Sequence, residues 1–234
     1  MNREQIMSRF RFRDRLSGSG ALLGLLQMGP NPLLVEMTKD CGYDFLLLDG
    51  EHGTFNEAEF SQALTALAAT DVLAMVRLAG HDLDAMKRYQ RMGADVVVVP
   101  HVSTQEEACR MAQAAIQAKI SIIAIIESAL GASNAEAILA VDGLAGVLVG
   151  PNDLSADLGY EGNYTSAAYT QALERTEHAA TRAGKVLGTV PHGKYSLPTL
   201  YGRGHRLFIL GTDRSLLREA MSAQVAQARR DLHS

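Results

Sequence analysis

Residues 43–52 read Tyr43-Asp44-Phe45-Leu46-Leu47-Leu48-Asp49-Gly50-Glu51-His52. The run Phe45–Leu48 is unbroken by polar residues, so an extended chain here has both faces buried. It stops abruptly at an acid, a glycine, a second acid and a histidine. A strand covered on both sides, with ionisable groups at its C-terminal end, is the repeating unit of a parallel sheet flanked by helices.

The unit recurs along the chain. Candidate strands are Ala21–Gln27, Tyr43–Asp49, Leu73–Leu78, Asp95–Val99, Ile120–Ile126, Gly146–Val149, Val186–Val190 and Arg206–Leu210. Amphipathic stretches with helix-start signals lie between them. Asn31-Pro32 and Asn56 open the first two, and Asp82, Thr104 and Ser133 read as N-caps of the next three. A long helix runs from Thr165 to Arg182, a short one covers Ser196–Tyr201, and Asp213 caps a last one. The alternation predicts an α/β fold, a (β/α)8 TIM barrel, as one domain over 1–234. Residues 1–20 form a leading helix and 213–234 a final one. A doubly wound sheet would need a phosphate-binding fingerprint after its first strand, and Met28-Gly29-Pro30-Asn31-Pro32 is not one.

Composition narrows the function classes. The chain has 234 residues, 47% hydrophobic and 21% charged, with a net charge of −4. There is no broad basic surface for nucleic acid, and no apolar run long enough to span a membrane. The two cysteines, Cys41 and Cys109, read as small buried hydrophobes in helical patterns, which fits a reducing cytoplasm. Glu4 and Asp14 among the N-terminal arginines argue against a transit peptide.

In this fold the chemistry sits where the strands end. The second strand delivers Asp49, Glu51 and His52, the third Arg77, the fourth His101 and the fifth Glu127. The sixth delivers Gly150-Pro151-Asn152-Asp153, and the seventh His192. Singly, each has a plain structural role open to it: Arg77 pairing with Asp49 or Glu51, or Glu127 bonded to backbone amides. Together they exceed what a salt-bridge network needs. Glu127 and Asp153, on neighbouring strand ends, suit a hard divalent cation such as Mg²⁺ or Mn²⁺, with water or substrate oxygens completing its shell. N–H groups after Pro151 can hold a carboxylate. Arg77 can face a carbonyl or enolate oxygen, and Asp49 can orient the His52 imidazole for proton transfer.

These residues resemble the HpcH/HpaI family of metal-dependent (class II) pyruvate aldolases. The likeness runs from Leu22 to about Leu217. It is carried by residues 42–52, by Val76-Arg77, and by Gly150-Pro151-Asn152-Asp153-Leu154-Ser155-Ala156-Asp157-Leu158-Gly159. The resemblance implies that Glu127 and Asp153 hold Mg²⁺, Mn²⁺ or Co²⁺, which binds a 2-oxo acid through its carboxylate and keto oxygens. It implies that Arg77 stabilises the enolate, that His52 supported by Asp49 carries the proton, and that the backbone near Asn152 and Asp153 holds the carboxylate. Gly150, Pro151, Asn152, His101 and His192 are the candidate substrate-binding residues, the two histidines standing where the family has less basic residues. It also implies a homo-oligomer of dimers grouped into a hexamer, the last helix being exchanged between partners. An isoleucine, Ile125, stands where the family has a glutamine. Arg91 replaces an aspartate that reaches a neighbouring subunit, and a loop before the fifth strand is missing.

The expected activity is carbon–carbon cleavage or formation next to a 2-oxo acid, the other substrate being an aldehyde or an acyl donor. A Claisen-type condensation, as in a citrate synthase of a siderophore pathway, is the alternative on the same scaffold. A non-catalytic 2-oxo acid-binding protein is the third reading.

Overall fold

The computed structural model describes Phe12, Arg15 and residues 20–232. Strands β1 (Leu22–Gln27), β2 (Phe45–Asp49), β3 (Leu73–Arg77), β4 (Val96–Val99), β5 (Ser121–Ile126), β6 (Leu144–Val149), β7 (Val186–Thr189) and β8 (Leu207–Thr212) pair in parallel and in sequence order. The ring closes where β8 pairs with β1. Helices α1 (Pro32–Asp40), α2 (Glu57–Leu67), α3 (Leu83–Met92) and α4 (Gln105–Ala118) follow the first four strands. After β5 come α5 (Ala129–Ser133) and α6 (Ala135–Leu139); after β6 come α7 (Pro151–Asp157) and α8 (Ala167–Arg182). Helix α9 (Leu197–Gly202) follows β7, and α10 (Asp213–Asp231) ends the chain. This is the (β/α)8 barrel that the alternation predicts.

The apolar runs are continuous because they serve two cores. In β2, Phe45 and Leu47 point into the barrel, with Leu22, Met75 and Val98, while Leu46 and Leu48 pack under the helices. Gly24 belongs to this packing: a Cβ there would stand 2.2 Å from the Phe45 ring. Phe12 is fully buried in the interior cluster, and Arg15 reaches the carbonyls of Asp44 and Asp71. The rest of the leading helix expected over 1–20 lies outside the described residues.

Asn31, Asn56, Asp82 and Thr104 cap their helices through their side chains, as expected. Three starts differ. Ser128 caps α5 and Asn134 begins α6, so Ser133 is the last residue of a broken helix and not a cap. Ser166 caps α8, because Thr165 spends its N–H and hydroxyl on Asn163. Thr212 caps α10 in a reciprocal pair with Ser215, and Asp213 is its first residue. Helix α7, begun by Pro151 directly after β6, was read as a strand end. Cys41 is exposed at the C-terminus of α1 and Cys109 is half-buried, so neither is the buried hydrophobe expected.

Two features at the seam between β8 and β1 shape the mouth. Gly24 pairs with Ile209 but Leu26 pairs with Thr212, so β8 carries one extra residue and bulges there. Bulges at barrel rims re-aim the chain that follows. Helix α10 then has no buried residue, and Leu217, Met221 and Val225 are 63%, 58% and 52% exposed. Among the described residues, no helix is long and apolar enough to cross a membrane.

Candidate active site

Arg77 ends β3 directly opposite Asp49, its register partner in β2. Its Nε donates to Asp49 Oδ1 at 2.9 Å and its Nη2 to Oδ2 at 2.7 Å, a forked pairing of planar groups. Its Nη1 lies 2.9 Å from Glu51 Oε2, an ion pair without a directed hydrogen bond. Glu51 Oε1 is 2.7 Å from His101 Nε2, and His101 Nδ1 is 3.1 Å from Glu127 Oε1. The same Glu127 oxygen accepts the backbone N–H of His101 at 2.7 Å. A chain of alternating acidic and basic groups thus joins the ends of β2, β3, β4 and β5. His101 holds a left-handed backbone at φ 56°, unusual for a residue with a Cβ. Both acids that grip it fix that conformation.

Burial opposes the charge on Asp49, but the hydrogen bonds and charge of Arg77 and the N–H groups of Glu51 and His52 outweigh it, and its carboxyl sits below the ordinary range. Arg77 is shifted upward: burial works against its charge, and Asp49 and Glu51 more than restore it. Glu127 goes the other way. Burial lifts its pKa, and the nearby carboxylates of Glu51 and Asp153 add to the rise against the opposing pull of His101.

The expected contact between Asp49 and the His52 imidazole is not formed. Asp49 Oδ1 accepts the backbone N–H groups of Glu51 and His52, at 3.0 and 3.2 Å, and both oxygens are held by Arg77. Asp49 therefore fixes the loop that carries His52, while the ring, 59% exposed, turns to the cavity with Nε2 3.9 Å from Glu51 Oε2.

Glu127 is buried below the start of α7. Gly150 makes room for it: a Cβ there would be 2.9 Å from Glu127 Oε2. No side chain caps α7, which leaves its first N–H groups open at the mouth, and Asp153 stands in that first turn. Among the described residues, no three His, Cys, Asp or Glu side chains gather as a ligand cluster. The fit is to an oxygen-loving ion held by two carboxylates and completed by water or substrate oxygens. The space at Gly150 seats the Glu127 carboxylate, and the paired charge of Glu127 and Asp153, which adds to burial in raising the Glu127 pKa, is what such an ion would neutralise.

His192 lines the other side of the cavity. Its Nδ1 meets the Val190 carbonyl and its Nε2 the Tyr169 hydroxyl, both at 2.6 Å. A carbonyl can only accept, so Nδ1 carries the hydrogen; burial holds the ring's pKa down, and the neutral Nε2 accepts from Tyr169. Both ring nitrogens are occupied, which makes His192 a wall and not a free base. Tyr164 stacks edge-on against it and donates to Asn152 Oδ1 at 2.6 Å.

These groups surround an open-mouthed cavity of about 380 Å³. His52, Arg77, Glu127, Asp153, Asn152 and His192 form its upper wall, whereas Leu26, Leu47, Ile125, Leu148 and Ile209 form its floor. Gly150 and Pro151 line it as well, and His101 reaches it through Glu127. Ile125 lies on the same strand face as Glu127, one pleat lower, in the interior cluster. Glu51, expected only as a possible ion-pair partner of Arg77, also reaches His101 and so joins two strand ends. The available signal was its spacing: two residues after Asp49, it returns to the same side of the chain. Tyr164 and Tyr169 were missed, because nothing in a helix pattern shows that a tyrosine backs a histidine from another element.

A closed parallel barrel with acids, bases and an arginine at its strand ends is a barrel enzyme with its chemistry at the mouth. The chain belongs to the HpcH/HpaI aldolase/citrate lyase family, whose model matches residues 22–220. It is similar to a hydroxypyruvate/pyruvate aldolase of Deinococcus radiodurans, 29% identical over 238 residues that cover 89% of this chain and 86% of that protein. Among solved structures it resembles the citrate synthase SbnG in fold, with a TM-score of 0.86 at 24% identity over 97% of this chain and 100% of that one. A citrate lyase beta subunit from M. tuberculosis, complexed with oxaloacetate and magnesium, shares the fold at a TM-score of 0.59 and 21% identity, over 83% of this chain and 93% of that one.

Proposed function

We propose that the chain is a class II aldolase that makes or breaks the carbon–carbon bond next to a 2-oxo acid of the pyruvate type, with an aldehyde as the other partner. One observation carries the reading. A buried carboxylate of raised pKa, Glu127, shares the cavity with Asp153 at the open start of α7 and with Arg77.

Glu127 and Asp153 hold the divalent cation, Mg²⁺ or Mn²⁺. When bound, that ion supplies Lewis-acid polarisation of the 2-oxo group. The uncapped N–H groups of α7 receive the substrate carboxylate. Arg77, braced by Asp49 and Glu51, keeps N–H directions free for the keto oxygen as it gains charge. His52 stands over the cavity on a loop fixed by Asp49 and carries the proton between the reacting centre and solvent. The apolar floor excludes water from below. Helix α10, with its bare apolar stripe, supports assembly into a homo-oligomer.

The test is exchange of the methyl protons of pyruvate in D₂O, followed by NMR with and without EDTA. Exchange that stops with EDTA and returns with Mn²⁺ is the expected result. Thiol release from acetyl-CoA with oxaloacetate, without that exchange, points instead to a condensing enzyme. Binding of pyruvate with neither activity points to a binding protein.

A further inference from the structure

We infer that Asp213 is a positioning residue for His52, acting from the root of α10 through the β1–α1 turn. The inference rests on the role proposed above for His52.

Asp213 reaches this position because of the bulge in β8. The extra residue before Thr212 carries the start of α10 over the end of β1. There Asp213 Oδ2 accepts the backbone N–H groups of Met28 and Gly29, at 3.2 and 3.3 Å. Two N–H donors on one carboxylate oxygen are charge-assisted bonds, stronger than neutral ones. The same turn is held from within by Gln27, whose Nε2 donates to the carbonyls of Gly29 and Asn31 at 2.8 and 3.2 Å.

The turn carries the constraint onward. The Met28 carbonyl accepts the N–H of Thr54 at 2.9 Å. The loop of residues 50–54 is thus pinned at its start by Asp49, through the N–H groups of Glu51 and His52, and at its far end by Met28. Between the two pins the chain doubles back so tightly that a Cβ on Gly53 would lie 2.0 Å from the Asp49 carbonyl oxygen. His52 sits between these pins. One is anchored in the catalytic ion-pair network and the other in Asp213. Met28 and His52 both line the cavity, as does Thr212. Among the described residues, Asp213 is the carboxylate that accepts the N–H groups of both Met28 and Gly29, so the first residue of α10 sets how firmly the far pin holds.

The experiment compares Asp213→Ala and Asp213→Asn with wild type, first by amide hydrogen exchange on the unliganded protein. In Asp213→Ala, exchange at Thr54 and His52 should rise about tenfold, beyond the direct effect at Met28 and Gly29. Asp213→Asn keeps an oxygen acceptor but loses the charge, so its exchange should fall between wild type and Asp213→Ala, about threefold above wild type. In steady-state kinetics, Asp213→Ala should lower kcat about tenfold and leave KM for the 2-oxo acid within about twofold, because the loop carries the proton donor and not the carboxylate site. A thermal melt confirms that both variants are folded. Unchanged exchange at Thr54, or unchanged kcat in a variant whose Thr54 is loosened, overturns the inference. The exchange measurement needs no substrate, so it decides the tether even where the proposed reaction itself fails.

Discussion

Gly150 and Glu127 fit each other: a Cβ on the glycine would fall 2.9 Å from both the Cβ and Oε2 of the glutamate. The space the glycine leaves is the space the carboxylate occupies. Glu127 follows β5 and Gly150 follows β6, so the fit joins the ends of a strand pair and depends on the barrel's register.

Gly150→Ala should therefore displace the Glu127 carboxylate and weaken Mn²⁺ binding by about 10- to 100-fold, the range seen when a ligand's immediate support is disturbed. The barrel should still fold, because the clash lies at the mouth, above the packed interior. Titration calorimetry with Mn²⁺, alongside circular dichroism, checks this. Wild-type affinity in a folded variant would contradict it.

Arg77→Lys should lower kcat more than it raises KM. Lysine keeps the charge but cannot form the fork to Asp49 while also reaching Glu51 and the substrate oxygen. The loss of transition-state stabilisation should be about 3 kcal/mol, typical of removing one such donor. Steady-state kinetics on pyruvate and an aldehyde acceptor separate the two effects, and a purely raised KM would rule out a transition-state role.

Acid stability should depend on Glu177. Its carboxylate binds Arg203 Nε at 2.8 Å and lies 3.0 Å from Nε2 of the fully buried His205. Burial raises its pKa, but the hydrogen bonds from His205 and Arg203 outweigh that and bring it below the ordinary value. A group with a depressed folded pKa contributes stability that is complete above its unfolded pKa of about 4.3 and fades as pH falls through the lower folded value. Urea unfolding between about pH 6 and pH 3 should show this loss in wild type, and a flatter acid limb in Glu177→Gln. Equal slopes in the two proteins would remove Glu177 from the account.

Assembly should depend on the stripe of α10. Leu217 and Met221 stand exposed one turn apart on a helix with no buried residue. A contiguous apolar surface of this kind marks a contact between chains. Light scattering should show an oligomer for wild type and dissociation when Leu217→Asp is combined with Met221→Asp. A monomeric wild type would end the proposal.

The fold was legible because its signals are local and repeated. Phe45–Leu48, Val96–Val99 and Ile122–Ile126 announce buried strands by themselves, and Asn31, Asn56, Asp82 and Thr104 announce helix starts. The strand ends were legible for the same reason, since the fold places every such residue at one mouth. Pairing within the mouth was legible only in part: Arg77 with Asp49 or Glu51 was one open reading, and both contacts form, whereas the expected contact of Asp49 with the His52 ring does not. Asp49 turns to Arg77 and not to the His52 ring because the register sets β2 and β3 level, and register is not written in either strand alone. Helix α7 was hidden because Pro151 immediately after a strand reads as a break until Asn152-Asp153-Leu154 is seen to continue it. The tyrosines behind His192 were hidden because the contact joins α8 to the end of β7 over a separation in sequence that no spacing rule reaches.

The hydrocarbon floor made by Leu26, Leu47, Ile125, Leu148 and Ile209 has a consequence for access. The ionisable groups that line the cavity, His52, Arg77, Glu127, Asp153 and His192, stand at its rim, so a flat substrate resting on that floor would meet polar groups on one face and methyl groups on the other. Water and a second substrate would then reach it only from the rim side. The barrel's interior packing, which holds the strands together, would thus also set the direction from which a substrate can be approached.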